Sequence, residues 1–192
     1  ENVAQVFMGM RIQCAQCHNH PFDRWTMNDY YSFAAFFAQV GRKTGEDQRE
    51  TVVYNRASGD MNHPVGSRDM PPVYLGGDKP KIEPGQDRRE ILAQWLASPQ
   101  NPFFARNVAN IVWAHFFGQG IVRTLSDFGY QGDPPSHPEL LDWLAATFVE
   151  SGWSLKAMHR LMVTSATYRQ ASSQYLVISN KSAPKSEAPL IT

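Results

Sequence analysis

The chain is predicted to be mainly α, and three observations carry that prediction. Apolar residues recur at helical spacing, Ser, Thr and Pro stand where helix starts need them, and glycine and proline crowd into one central stretch. Val3, Val6, Phe7 and Met10 form a first helical stripe, and the run after Met10 is expected to continue that helix. Pro21 breaks the chain, and Thr26 or Asn28 caps a second helix through Tyr30, Tyr31, Phe33, Phe36, Phe37 and Val40, ending before Gly41. Beyond it, Gly59, Pro64, Gly66, Pro71, Pro72, Gly76, Gly77, Pro80, Pro84 and Gly85 leave no room for a long helix, and only Thr51 to Tyr54 suggests a short strand. From Asp87 the chain is helical again. Asn101-Pro102 opens a helix closed by Gly118, Ser136-His137-Pro138-Glu139 combines a capping box with proline at the first helical position, and Ser154 caps a last helix. Tyr175 to Ile178 suggests an edge strand in the tail. The expected organisation is a helical segment over residues 1–45, a loop over 46–86, a capped multi-helix scaffold over 87–170 and a tail over 171–192.

Composition narrows the function classes. The 192 residues suffice for one large domain or two small ones with a real core. With 18 basic and 18 acidic residues, there is no field to attract nucleic acid or an anionic membrane. No run of about eighteen apolar residues occurs, so no membrane span is expected in this chain.

Both cysteines of the chain fall in one run, Cys14-Ala15-Gln16-Cys17-His18. Two thiols one helical turn apart point the same way and suit addition across the two vinyl groups of one porphyrin, and the histidine that follows offers an imidazole to the iron. The motif therefore points to a single covalently bound haem c on Cys14, Cys17 and His18, which makes residues 1–45 the attachment segment. A zinc site built from Cys14, Cys17, His20 and His63 has odd spacing and no second Cys-x-x-Cys pair. A thioredoxin-like dithiol lacks its βαβ context, and a plain disulfide across so short a loop constrains little chain entropy. These are the weaker readings. The aromatic face of the second helix suits either a porphyrin wall or ordinary core.

The distal ligand is open among several groups. The loop over 46–86 holds Met61, His63 and Met70, and a loop this long in a compact domain is usually functional or disordered. His63, stiffened by Pro64, is the favoured metal ligand opposite His18. Met70 is a rival that would raise the potential, and His20 is another, although two residues from His18 it is badly placed to cross the same ring. An iron left open or water-ligated is the remaining case. Arg11 and Arg24 flank the motif as propionate partners or ordinary surface charges. His115, between Trp113 and Phe116, reads as core, with facing the haem from the second half as the lesser alternative; His137, in a cap, and His159 read as satisfied surface or core groups. No Ser-His-Asp, paired-carboxylate or phosphate-loop constellation stands out.

The stretch Phe7 to Trp25, followed by Asp29-Tyr30-Tyr31, resembles the haem-motif end of the planctomycete-type cytochrome domain. Asn101 to Arg106, Val112-Trp113-Ala114-His115, Pro134 to Asp142 and Ser165-Ala166-Thr167-Tyr168 are similar to the uncharacterised domain that follows it in the same proteins. The resemblance covers most of residues 1–170. It implies a haem-bearing, exported protein of which this chain is like a C-terminal portion, and a His-Pro pair like His63-Pro64 recurs in that family.

Two functions follow as expectations. One is a monohaem c-type cytochrome passing single electrons to a redox partner protein or to neighbouring copies of itself. The other is a haem enzyme, peroxidase-like or acting on a small ligand, or the haem-bearing part of a larger extracytoplasmic oxidoreductase. Thioether attachment is an extracytoplasmic maturation, so a periplasmic, cell-surface or secreted location is expected. No leader-like segment opens the chain, so either a leader has been removed or the chain is a piece of something longer.

Overall fold

A computed structural model describes residues 1–56 and 58–170; the expected strand at Tyr175 to Ile178 lies outside them. Among the described residues are six α-helices and four short strands, so the chain is mainly helical with two small antiparallel hairpins. None of these helices is long and apolar enough to cross a membrane.

The first helix, α1 (Asn2–Met8), stops sooner than its apolar stripe suggests. Gly9 adopts the left-handed conformation (φ 67) and caps it, so the cysteine motif is not a continuation of α1. It sits on a separate 3-10 turn, Gln13–Gln16. The buried face of α1 is also not the expected one: Ala4 and Met8 are fully buried, whereas Val6 is 63% exposed. Residues 4 and 8, one turn apart, share a face of the helix, and that face meets the core.

Thr26 caps α2 (Met27–Ala34) through a capping box: its hydroxyl accepts from Asp29 N–H, while the Asp29 carboxylate accepts from Thr26 N–H. The helix tightens into a 3-10 turn at Ala35–Phe37 and does not reach Val40. Val40 instead opens β1 (Val40–Thr44), which pairs antiparallel with β2 (Thr51–Asn55). Gly41 is thus a strand residue rather than a helix stop. It faces Tyr54 across the ladder, and a Cβ there would lie 2.6 Å from the tyrosine ring, so glycine makes room for an aromatic cross-strand neighbour. A second hairpin joins β3 (Met61–Asn62) to β4 (Asp69–Met70) within the expected loop and packs on α2.

Helices α3 (Arg88–Leu96), α4 (Phe104–Phe117), α5 (Pro138–Glu150) and α6 (Leu155–Val163) complete the fold. Asn101 Oδ1 accepts from the N–H groups of Phe103 and Phe104 to start α4, and Gly118 in the left-handed region ends it. The expected capping box at Ser136 does not form. His137 occupies the cap position without a side-chain bond, and Ser136, one residue too early, donates through N–H and hydroxyl to Ile121 C=O.

Two cores result. One gathers Met8, Ile12, Trp25, Phe33, Phe36 and Leu75 with Ile91 and Leu92 of α3, so α3 packs with the N-terminal elements. The other gathers Val112, Leu141, Leu144, Phe148, Met158 and Met162 from α4, α5 and α6. Fully buried Asn110 serves this second core: its amide donates to Val122 C=O and its oxygen accepts from Val122 N–H, each at 2.9 Å. That pair satisfies backbone a strand would otherwise satisfy. Polar stitches cross between the cores. Asn107 Nδ2 donates to Val6 C=O (2.9 Å), Phe128 N–H donates to Gly9 C=O (2.8 Å), and the Phe128 ring packs against both.

Cleavage between Pro84 and Gly85 in the exposed central segment is therefore expected to leave the two fragments associated. Ile91 and Leu92 would still fill the N-terminal core and the stitches to α4 would persist. Co-elution on gel filtration checks this, and two independently eluting folded pieces would contradict it.

Candidate functional site

The 3-10 turn sets the geometry of the cysteine motif. Ala15 N–H donates to Ile12 C=O and Cys17 N–H to Cys14 C=O (3.4 Å). In such a turn residues three apart eclipse, so the Cys14 and Cys17 side chains project to one side. Ile12 and Ala15 point into the core, while Cys14, Cys17 and His18 are exposed. Both thiols are free. The His18 ring is oriented by its neighbour: Nδ1 lies 2.7 Å from Asn19 C=O and donates to it, which leaves Nε2 outside that contact. Asn19 also accepts from Met27 N–H through Oδ1 (3.1 Å), which ties the motif to the start of α2. Sequence reasoning passed over Asn19, and only its tendency to hydrogen-bond nearby backbone hinted at this role.

The aromatic face of α2 divides in two. Phe33 and Phe36 are each 1% exposed and are core, packing edge to face. Tyr30 and Tyr31 turn toward the motif. Tyr31 OH donates to Gln16 C=O (3.0 Å), inside the Cys-x-x-Cys run. Burial pushes the Tyr30 phenol above its ordinary pKa, and negative neighbours, Cys17 among them, add to the effect.

His63 lies at the end of β3, where its N–H donates to Arg68 C=O and closes the hairpin tip. Arg68 in turn donates to Asn28 Oδ1 on α2, which fastens the hairpin to that helix. The His63 ring is 6% exposed and sits 5.4 Å from the Tyr31 ring, between centroids. Its Nδ1 lies 2.9 Å from Val65 C=O and 3.1 Å from Val65 N–H, so Nδ1 is engaged by the hairpin whichever tautomer holds. His63 is thus one side chain, Tyr31, removed from the motif. Met70 is buried and pairs with Met61 across the hairpin. His20 stays near the motif by chain continuity; its Nδ1 accepts from Phe22 N–H (3.3 Å), and its ring borders a cavity beside Cys14.

The remaining histidines lie away from the motif. His115 is exposed on the last turn of α4 rather than buried in the core, because Val112 and Ala109 take the inward positions of that helix. His159 is exposed against the edge of Phe116, and His137 contacts the Ser136 hydroxyl. Among the described residues no group of three or more His, Cys, Asp and Glu is arranged to hold a bare metal ion.

Residues 88–187, just over half of the chain, match the PSD1 family model, described as a protein of unknown function (DUF1553). The chain belongs to the PSD1 family. Residues 1–42 match a second model, PSCyt2, also a protein of unknown function (DUF1549). Both are planctomycete-type domains. The PSD1 match begins at the first residue of α3, and the PSCyt2 match carries the cysteine motif and α2. No curated protein and no solved structure matches the chain.

The exposure of Cys14 and Cys17 has a direct chemical consequence. In this PSD1-family chain prepared without any cofactor, both thiols are expected to react with Ellman's reagent under native conditions, two per chain. A thiol that reacted only after denaturant was added would show that the turn is covered.

Proposed function

We propose that this chain is a monohaem c-type cytochrome that carries single electrons, with haem c held by thioethers to Cys14 and Cys17 and by His18. One observation carries the reading: the Cys14-to-His18 run lies on a turn that eclipses two free, exposed thiols and orients the adjacent imidazole through Asn19. The donor chemistry fits the group. Thiols on one side suit two vinyl carbons of one ring, and an Nδ1–H donated to a carbonyl is the usual support for a metal-ligating histidine. When bound, the haem supplies one-electron chemistry at iron, tuned by its axial ligands. The chain's own share is to hold the ring, to present His18 Nε2, and to pack Tyr30 and Tyr31 near the thiols. Thioether formation belongs outside the cytoplasm, so an extracytoplasmic location is part of the proposal, with a redox partner protein or neighbouring copies as electron donor and acceptor.

The pigment is expected to stay with the polypeptide through denaturation and acid-acetone extraction, and Cys14→Ala with Cys17→Ala is expected to release it. Free extraction from the unsubstituted chain, or zinc in place of iron on metal analysis, would sink the proposal.

For the sixth ligand we propose His63. Its Nδ1 is engaged by Val65, as that of His18 is by Asn19, which leaves Nε2 as the coordinating atom. The Tyr31 contact keeps it close to the motif. Bis-histidine ligation lacks a methionine and so favours a low potential. His63→Ala is expected to open the iron to carbon monoxide while the pigment stays attached. If that variant remains low-spin and six-coordinate, Met70→Ala and His20→Ala identify the ligand instead.

A second reading, a haem enzyme with an open distal position, is favoured by the burial of His63 under Tyr31. A ring that stays on Tyr31 leaves iron free to bind peroxide or another small ligand. High-spin, carbon-monoxide-binding haem in the unsubstituted chain would select this reading over the carrier.

A further inference from the structure

We propose that the open edge of β2 is a self-association surface, on which a second copy of this chain pairs strand to strand about a two-fold axis at Val53. Haem plays no part in this surface. Among the described residues β1 and β2 form a sheet of two strands, so β2 has one partnered edge and one open edge. All five of its residues are exposed, and Val52, Val53 and Tyr54 stand 39%, 55% and 42% open to solvent. The run Thr51-Val52-Val53-Tyr54-Asn55 holds no charge, no proline and no glycine. It carries none of the lysines, prolines or bulges that blunt natural sheet edges.

The ladder decides which backbone groups are free. Gly45 N–H donates to Glu50 C=O and Arg56 N–H to Gln39 C=O, so the even-numbered residues from Glu50 to Arg56 turn their backbone groups toward β1. Thr51, Val53 and Asn55 turn theirs outward. A second β2 laid antiparallel, with Val53 opposite Val53, sets Thr51 opposite Asn55 at each end. These are hydrogen-bonding positions on both strands, so the pairing closes about six bonds between the copies.

The side chains fit the same register. It places Val52 opposite Tyr54 twice, a β-branched residue against an aromatic one, which is a favourable cross-strand pair. One position further out it places Glu50 opposite Arg56, again twice. Both residues are exposed, and neither forms an ion pair within the chain among the described residues. Sliding the strands by two residues keeps the hydrogen-bonding positions but leaves Arg56 opposite Gln48 or Val52, so charge selects this register. A strand complementary to itself in both backbone and charge is what a two-fold interface requires.

Five residues a side is a small interface, below about 1,200 Å² in total, so the dimer is weak and concentration-dependent. For the full chain, sedimentation is expected to show the average mass rising from one chain toward two between about 10 μM and 1 mM. Amide exchange is expected to slow at Thr51, Val53 and Asn55 across that range, while Val52 and Tyr54 are protected at both ends of it. Val53→Pro removes a donor that β1 does not use and is expected to weaken association about tenfold or more. Glu50→Arg or Arg56→Glu alone is expected to weaken it about three- to tenfold. The two together are expected to restore it, since the pairs re-form with exchanged signs. That recovery keeps the test decisive if Val53→Pro fails to fold. A mass of one chain throughout overturns the proposal, and so does a dimer that all three substitutions leave unchanged. Protection of Thr51, Val53 and Asn55 already in the monomer also overturns it, because a segment of the same chain would then occupy the edge.

Discussion

The backbone at Gly9 has no room for a side chain, and the arrangement of the motif follows from that. A Cβ at this position would sit 2.7 Å from the Phe128 ring and 3.1 Å from Asn107 Oδ1, on a residue that already holds φ at 67. Glycine takes the left-handed conformation without the Cβ penalty and lets the loop after α4 close directly on the backbone. The helix stops there, the chain turns, and Met10 and Ile12 drop into the core (4% and 1% exposed). The next residues must then emerge on the surface. Cys14 and Cys17 are exposed because Ile12 and Ala15 are anchored beneath them.

The same contact makes the two matched families one packed body. The Gly9 carbonyl accepts from Phe128, Val6 from Asn107, and Ser126 from Arg11, so each bond runs between the PSCyt2 and PSD1 regions. Helix α3 strengthens the joint, since it opens the PSD1 match yet buries Ile91 and Leu92 among N-terminal residues. Burying two such aliphatic side chains is worth about 1.5–3 kcal/mol each before entropy is counted. That exceeds the roughly 1 kcal/mol net of a typical hydrogen bond, so apolar packing holds the regions together and the polar stitches set their register.

The candidate site combines local and distant parts. The turn, His18 and Asn19 are local, and their geometry follows from a few residues of backbone. His63 comes from a hairpin forty-five positions away, and its approach depends on Arg68 bonding Asn28 and on the Tyr31 ring lying between. The tyrosine links the two parts, with its hydroxyl on Gln16 and its ring beside that of His63. Helix α2 meets both segments and orders them together.

The sequence by itself determined the helical class, the cysteine-histidine motif and several helix boundaries, because each depends on interactions within about one turn of chain. Thr26 capping α2, Asn101 and Gly118 bounding α4, and Ser154 capping α6 are short-range hydrogen bonds or backbone preferences that any context must satisfy. What only the tertiary structure decided depends on partners far along the chain. Gly41 reads as a helix stop until Tyr54 lies across it. Ser136 reads as a cap until Ile121 C=O takes its donors. The stripe on α1 reads as Val3, Val6 and Phe7 until Ala4 and Met8 enter the first core and the close fit at Gly9 ends the helix. Short-range order is written in the neighbouring residues, whereas burial and long-range pairing belong to the whole chain and emerge only when it closes on itself.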